Sequence, residues 1–181
     1  MEYFFSIFDQ IKELGNKYRQ LSYYYVGYLQ HEVRLPQYGG SGSKKLEAVR
    51  LGDLEEIEKK LFSGEWRVDD CVSINSMSTM LHEAIVLDRK EIVSFLLRQG
   101  ADPNLRDRNG MTPLLKAAAL GRDHAVKELI RVGVNPIHID PYGYTPYELA
   151  VLHEEWVTAA MLKDAKSYNK TKTTWFWPPD I

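Results

Sequence analysis

Apolar side chains fall in steps of three and four along the start of the chain, at Phe4, Ile7, Ile11, Leu14, Tyr18, Leu21, Tyr25 and Tyr28. Residues spaced in this way share one face of an α-helix. Lys12, Glu13, Lys17, Arg19 and Gln20 lie off the stripe. Gly15-Asn16 is placed to end or kink the helix, and Tyr23-Tyr24-Tyr25-Val26 is also strand-prone. A face this apolar has to be buried against something. Phe4, Ile7, Phe8, Ile11, Leu14, Tyr18 and Leu21 are its expected anchors.

The pattern then breaks at Gly39-Gly40-Ser41-Gly42-Ser43, a flexible spacer by composition. The spacer reads as an engineered linker joining a partner fragment, residues 1–38, to the remainder of the chain; the alternative is a natural Gly-rich loop. Beyond it the polar–apolar pattern repeats with a fixed period. Thr79, Thr112 and Thr145 stand 33 residues apart, as do Ala84, Ala117 and Ala150, and Leu96, Leu129 and Leu162. Gly100 pairs with Gly133, Asp107 with Asp140, and Gly110 with Gly143 at the same step. A period of this length marks a stack of small units that bury their apolar faces only against one another.

Each unit predicts helix, tight turn, helix and loop. Thr112 caps a helix that has Pro113 at its first position, and Gly121 breaks that helix. Ala125, Val126, Leu129 and Ile130 then define a second helix that ends at Gly133. An earlier unit is visible in Leu46, Ala48, Gly52, Ile57, Leu61 and Gly64, with three residues inserted around Trp66 to Ile74. Lys60 and Lys163 stand where inner units carry leucine or isoleucine, as terminal units require.

The runs Asp107 to Ala118 and Gly100-Ala101-Asp102-Pro103-Asn104 resemble the ankyrin repeat. The resemblance covers about residues 44–166 and implies an all-α solenoid of four helix-turn-helix repeats, at about 44–73, 74–106, 107–139 and 140–166. The amphipathic helix precedes it, and a tail at 167–181 carries Trp175-Phe176-Trp177-Pro178-Pro179. His82 takes the family's T-P-L-H position, where the histidine holds the loop by hydrogen bonds.

Carried over position by position, the resemblance also implies a solvent-facing groove. Arg50, Leu51, Ser76, Ser78, Val86 and Leu87 line it first. Arg106, Arg108, Asn109, Met111, Ala119 and Leu120 come next, and Ile139, Tyr142, Tyr144, Leu152 and His153 close it. Many of these are apolar or aromatic, and a contiguous apolar stripe on a surface marks a binding site. The expected function is a non-catalytic adaptor whose groove takes an amphipathic aromatic helix or peptide, with residues 1–38 as the occupant. The alternative is a regulatory subunit, inhibitor or assembly chaperone clamping a folded catalytic partner such as a kinase, with Arg106, Asp107 and Arg108 as a charged fingertip.

Composition narrows the classes. A net charge of −2 gives no basic field for nucleic acid. No apolar run approaches the roughly 18 residues of a membrane span, and no signal-peptide pattern opens the chain. The single Cys71 excludes an internal disulfide framework and fits the cytoplasm or nucleus. No nucleophile or phosphate-binding motif is present, and no cofactor is implied. His138 and Asp140 flank a loop, but two ligands do not make a metal site.

Overall fold

Residues 44–73 and 76–173 are described in this computed structural model, with side chains as far as residue 164. The expected N-terminal helix, the Gly/Ser spacer and the Trp175–Pro179 tail lie outside the described residues. Four helix pairs succeed one another: α1 (Lys44–Leu51) with α2 (Leu54–Phe62), α3 (Met80–Val86) with α4 (Lys90–Arg98), α5 (Pro113–Ala119) with α6 (Asp123–Arg131), and α7 (Pro146–Leu152) with α8 (Trp156–Thr173). The first helices pack side by side as one layer, α1 on α3 on α5 on α7, and α4, α6 and α8 form the second.

The turn inside each pair arises from backbone chemistry. Arg122 N–H donates to Ala117 O at 2.9 Å, and Gly121 N–H donates to Ala118 O at 3.4 Å. This is the Schellman end, which satisfies carbonyls that a helix terminus leaves open. The same pair of bonds recurs from Asp53 and Gly52, from Arg89 and Asp88, and from Glu155 and Glu154. The residue before the donor must then be left-handed. Gly121 (φ 62°) adopts that conformation without strain, whereas Asp88 (φ 53°) and Glu154 (φ 62°) adopt it with a Cβ.

One continuous core lies between the layers. Leu81, Ala84 and Ile85 of α3, and Leu114, Ala117 and Ala118 of α5, meet Ile92, Val93, Leu96, Val126 and Leu129 from the outer helices. These positions share the 33-residue phase, so each repeat covers its neighbour. At the N-terminal end, Trp66 is buried from the three-residue insertion. Lys45 lies over its ring at 6.0 Å and pairs with Asp70, and this bond holds the Asp70 carboxyl below its ordinary pKa. At the outer ends, Lys60 pairs with Glu65 at 2.5 Å, and Lys163 is exposed.

Two features differ from the helical expectation. The first loop forms a small antiparallel pair, β1 (Cys71–Ser73) with β2 (Ser78–Thr79), because the insertion gives that loop enough chain to fold back on itself. The last helix runs to Thr173 rather than ending near residue 166.

Candidate interaction groove

The loops between pairs project as fingers, and an aspartate builds each of the later two. Asp107 Oδ1 accepts the N–H groups of Asn109 and Met111, both at 2.9 Å. Asp140 Oδ1 likewise accepts those of Tyr142 (2.9 Å) and Tyr144 (2.8 Å). The fingers are also tied to each other. Arg108 N–H donates to Ser76 O at 2.8 Å, and the Arg106 guanidinium donates to Gly110 O and Ile139 O. Gly110 (φ 72°) sits where a Cβ would fall 2.5 Å from Pro141 Cγ, so the third finger closes only onto a glycine.

His82 joins a helix start to the next finger. Thr79 N–H donates to His82 Nδ1 at 3.3 Å, so Nδ1 is the acceptor, and Nε2–H donates to Met111 O at 3.2 Å. Thr79 Oγ1 also lies 2.9 Å from Nδ1. The ring is fully buried. Desolvation first, and the Lys116 charge second, lower its pKa from 6.5 to about 4. The structural role expected of this histidine is therefore the one observed. Burial also lowers the pKa of His153, at the end of α7.

The sequence-derived groove residues divide into three sets. Arg106, Arg108 and Tyr142 are exposed, as are Leu51 and Ile139. Leu87, Leu120, Tyr144, Leu152 and His153 are half-buried, with Arg50, Ser76 and Asn109. Val86, Met111 and Ala119, expected to face solvent, are instead only 5%, 1% and 4% exposed, and Ser78 is fully buried. The Met111 backbone is held from both sides, its N–H donating to Asp107 Oδ1 and its carbonyl accepting from His82 Nε2. Val86 and Ala119 stand on inner helices packed directly against each other, and Arg122 holds the Val86 carbonyl at 3.1 Å.

Asp107 is also not a fingertip. It is buried and pairs with Lys116 Nζ at 3.0 Å, both side chains fully shielded. Sequence reasoning missed Lys116. Its signal was a single cation in the otherwise apolar run from Leu114 to Leu120.

Among the described residues, no group of three or more His, Cys, Asp or Glu is placed to hold a metal. Cys71 is exposed, its Sγ–H donating to Ser73 O. No described helix is long and apolar enough to cross a membrane. A family model described as "Ankyrin repeats (3 copies)" matches residues 81–172. The human 2-5A-dependent ribonuclease is 40% identical over 78 residues, which cover 40% of this chain and 10% of that protein. An ankyrin repeat protein of fowlpox virus is 49% identical over 43 residues, 24% of this chain and 30% of its own. Mouse protein phosphatase 1 regulatory subunit 27 is 35% identical over 69 residues, 38% of this chain and 44% of its own. The chain thus spans less than half of each of these relatives.

Proposed function

The chain belongs to the ankyrin-repeat family, and on that premise we propose that it is a non-catalytic interaction module whose concave face holds an amphipathic aromatic helix, the segment 1–38 being its occupant. Ankyrin repeats in general mediate protein–protein interaction. The finer reading is supported by one observation above the others. Half-buried Leu120, Tyr144 and Leu152, with exposed Ile139 and Tyr142, make a largely apolar row over the third and fourth repeats, whereas Leu87 packs against the core. A row of this kind complements the stripe Phe4, Ile7, Ile11, Leu14, Tyr18 and Leu21. Each apolar anchor buried there would contribute roughly 1.5–3 kcal/mol before ordering costs. Cytoplasm or nucleus is the compartment that suits an exposed free thiol.

The test is hydrogen exchange of the full chain with Leu120→Asp. Leu120 is half-buried, so a carboxylate there spoils the groove without entering the core. Met111→Asp is a poor probe, because at 1% exposure it would bury a carboxylate. The expected result is faster exchange across residues 3–28 with unchanged protection in α4 and α6. Unchanged exchange in residues 3–28 refutes groove binding. A second reading, the clamp on a folded catalytic partner, draws on the similarity to a phosphatase regulatory subunit and on exposed Arg106 and Arg108. It predicts that partner capture is lost on Arg108→Glu and survives Leu120→Asp.

A further inference from the structure

The turns inside the four helix pairs lie at the opposite end of the inner helices from the fingers, and one position in them changes charge along the stack. Asp53, Arg89, Arg122 and Glu155 each donate a backbone N–H to an alanine five residues back, Ala48, Ala84, Ala117 and Ala150 in turn. They therefore hold one place in four successive repeats. From that place the side chains lean back onto the turn before. Arg89 Nη2 donates to Arg50 O, and its Cζ lies 3.6 Å from where a Cβ on Gly52 would stand. Arg122 Nη2 donates to Val86 O at 3.1 Å. Glu155 rests on Gly121, where a Cβ would fall 2.1 Å from its Oε2.

Arginine is not what the turn needs. Glu155 cannot donate to a carbonyl, yet its turn closes through the same backbone bonds. The two arginines also keep capacity beyond their carbonyl bonds. Both residues are half-buried. In each, Nη1 makes no bond within the fold and is open to solvent, while Nε is the buried nitrogen. Neither has a carboxylate partner among the described residues, and exposed Asp88, on the turn beneath Arg122, pairs with neither. A guanidinium with free Nη protons takes a carboxylate through short, charge-assisted bonds. Along this edge the charges run minus, plus, plus, minus, one repeat apart, a step of about 8–10 Å.

We propose that Arg89 and Arg122 form a two-point docking site for an acidic peptide, whose two carboxylates stand one repeat apart. Residues seven apart on a helix are separated by about 10.5 Å, which matches the step. Asp53 and Glu155 repel an acid beyond either arginine, so they fix the peptide's register and reject uniformly acidic chains. A nucleic-acid backbone, with its unbroken row of phosphates, is rejected by the same two carboxylates. The chain's own segment does not supply the acids. Glu2 and Asp9 are seven apart, but on the expected helix they stand opposite the stripe of Phe4, Ile7 and Ile11. The site lies at the turns and is independent of what fills the apolar row.

The experiment is fluorescence anisotropy of the full chain with a labelled alanine-rich helical peptide. It carries two glutamates seven residues apart, and a lysine seven residues beyond each, to face Asp53 and Glu155. Binding should saturate, weaken with added salt, and fall at least about tenfold when the glutamates become glutamine or stand four apart. Arg89→Gln and Arg122→Gln should each weaken it by roughly threefold to tenfold; glutamine keeps an amide that can still hold the carbonyl. The double variant Arg89→Glu with Arg122→Glu should prefer a peptide with lysines in place of the two glutamates, which a purely structural arginine pair would not produce. Circular dichroism shows which variants fold, and the peptide series on the wild type tests the site even if none does. Absence of saturable binding, equal affinity for the glutamine peptide, or unchanged affinity in a folded single variant overturns the site. None of these outcomes touches the exchange test of the groove with Leu120→Asp.

Discussion

Acidification should loosen the stack through His82, and the structure sets both the sign and the size of the effect. In the folded chain Nδ1 accepts the Thr79 N–H, so a proton there would put two N–H groups face to face. The ring is fully buried, and its pKa falls from 6.5 to about 4. Between these values the unfolded chain binds the proton and the folded chain does not. The stabilisation is therefore complete above about pH 6.5 and is lost as the pH falls towards 4. At 1.36 kcal/mol per unit the loss amounts to about 3 kcal/mol, a large part of the stability of an ordinary domain. His82→Gln isolates this contribution. A glutamine amide can accept from Thr79 N–H and donate to Met111 O, but it does not titrate. Urea unfolding monitored by helical circular dichroism should be run on both proteins from neutral pH to about pH 4. The wild type should be the more pH-sensitive, and its advantage over His82→Gln should shrink by about 3 kcal/mol across that range. His153 contributes equally to both curves, and the depressed Asp70 and Glu128 carboxylates act at the acid end of both. Parallel curves would refute the argument, because His82 would then titrate alike in the folded and unfolded chains.

The backbone and the groove carry further expected outcomes. Glu154 holds φ 62° where the in-phase residue of the preceding repeat is Gly121, so Glu154→Gly should raise stability by roughly 0.5–1 kcal/mol; a lower denaturant midpoint would contradict it. Gly110→Ala drives a Cβ to 2.5 Å from Pro141, whereas at Gly143 (φ 90°) nothing lies within 4 Å. Both should destabilise, Gly110→Ala by about 1–3 kcal/mol more than Gly143→Ala, and equal thermal shifts would show that the Pro141 ring gives way freely. Leu120→Asp should expose residues 3–28 to exchange, and unchanged exchange there would count against groove binding.

Much of this protein could be read from its order of residues because the units are local and repeated. The Thr112-Pro113 start, the glycine stops and the 33-residue phase each act within a few residues of where they stand, and helix caps and turns are decided at that range. They determined four helix pairs and the capped ends, while the structural role of His82 followed from the family resemblance. Exposure on the concave side was a different kind of question. The resemblance to ankyrin repeats implied that Met111 and Ala119 face the groove, but burial depends on which neighbouring repeat leans against them. Only the assembled stack showed the Met111 backbone held between His82 and Asp107. The same holds for Asp107 and Lys116. In the chain Asp107 read as part of a charged fingertip, and Lys116, nine residues on, carried no reading of its own. Folding turned them into a buried ion pair, because α5 brings Lys116 back beneath the loop that precedes it. Sequence spoke for what neighbours along the chain enforce, and tertiary structure decided what neighbours across the stack conceal.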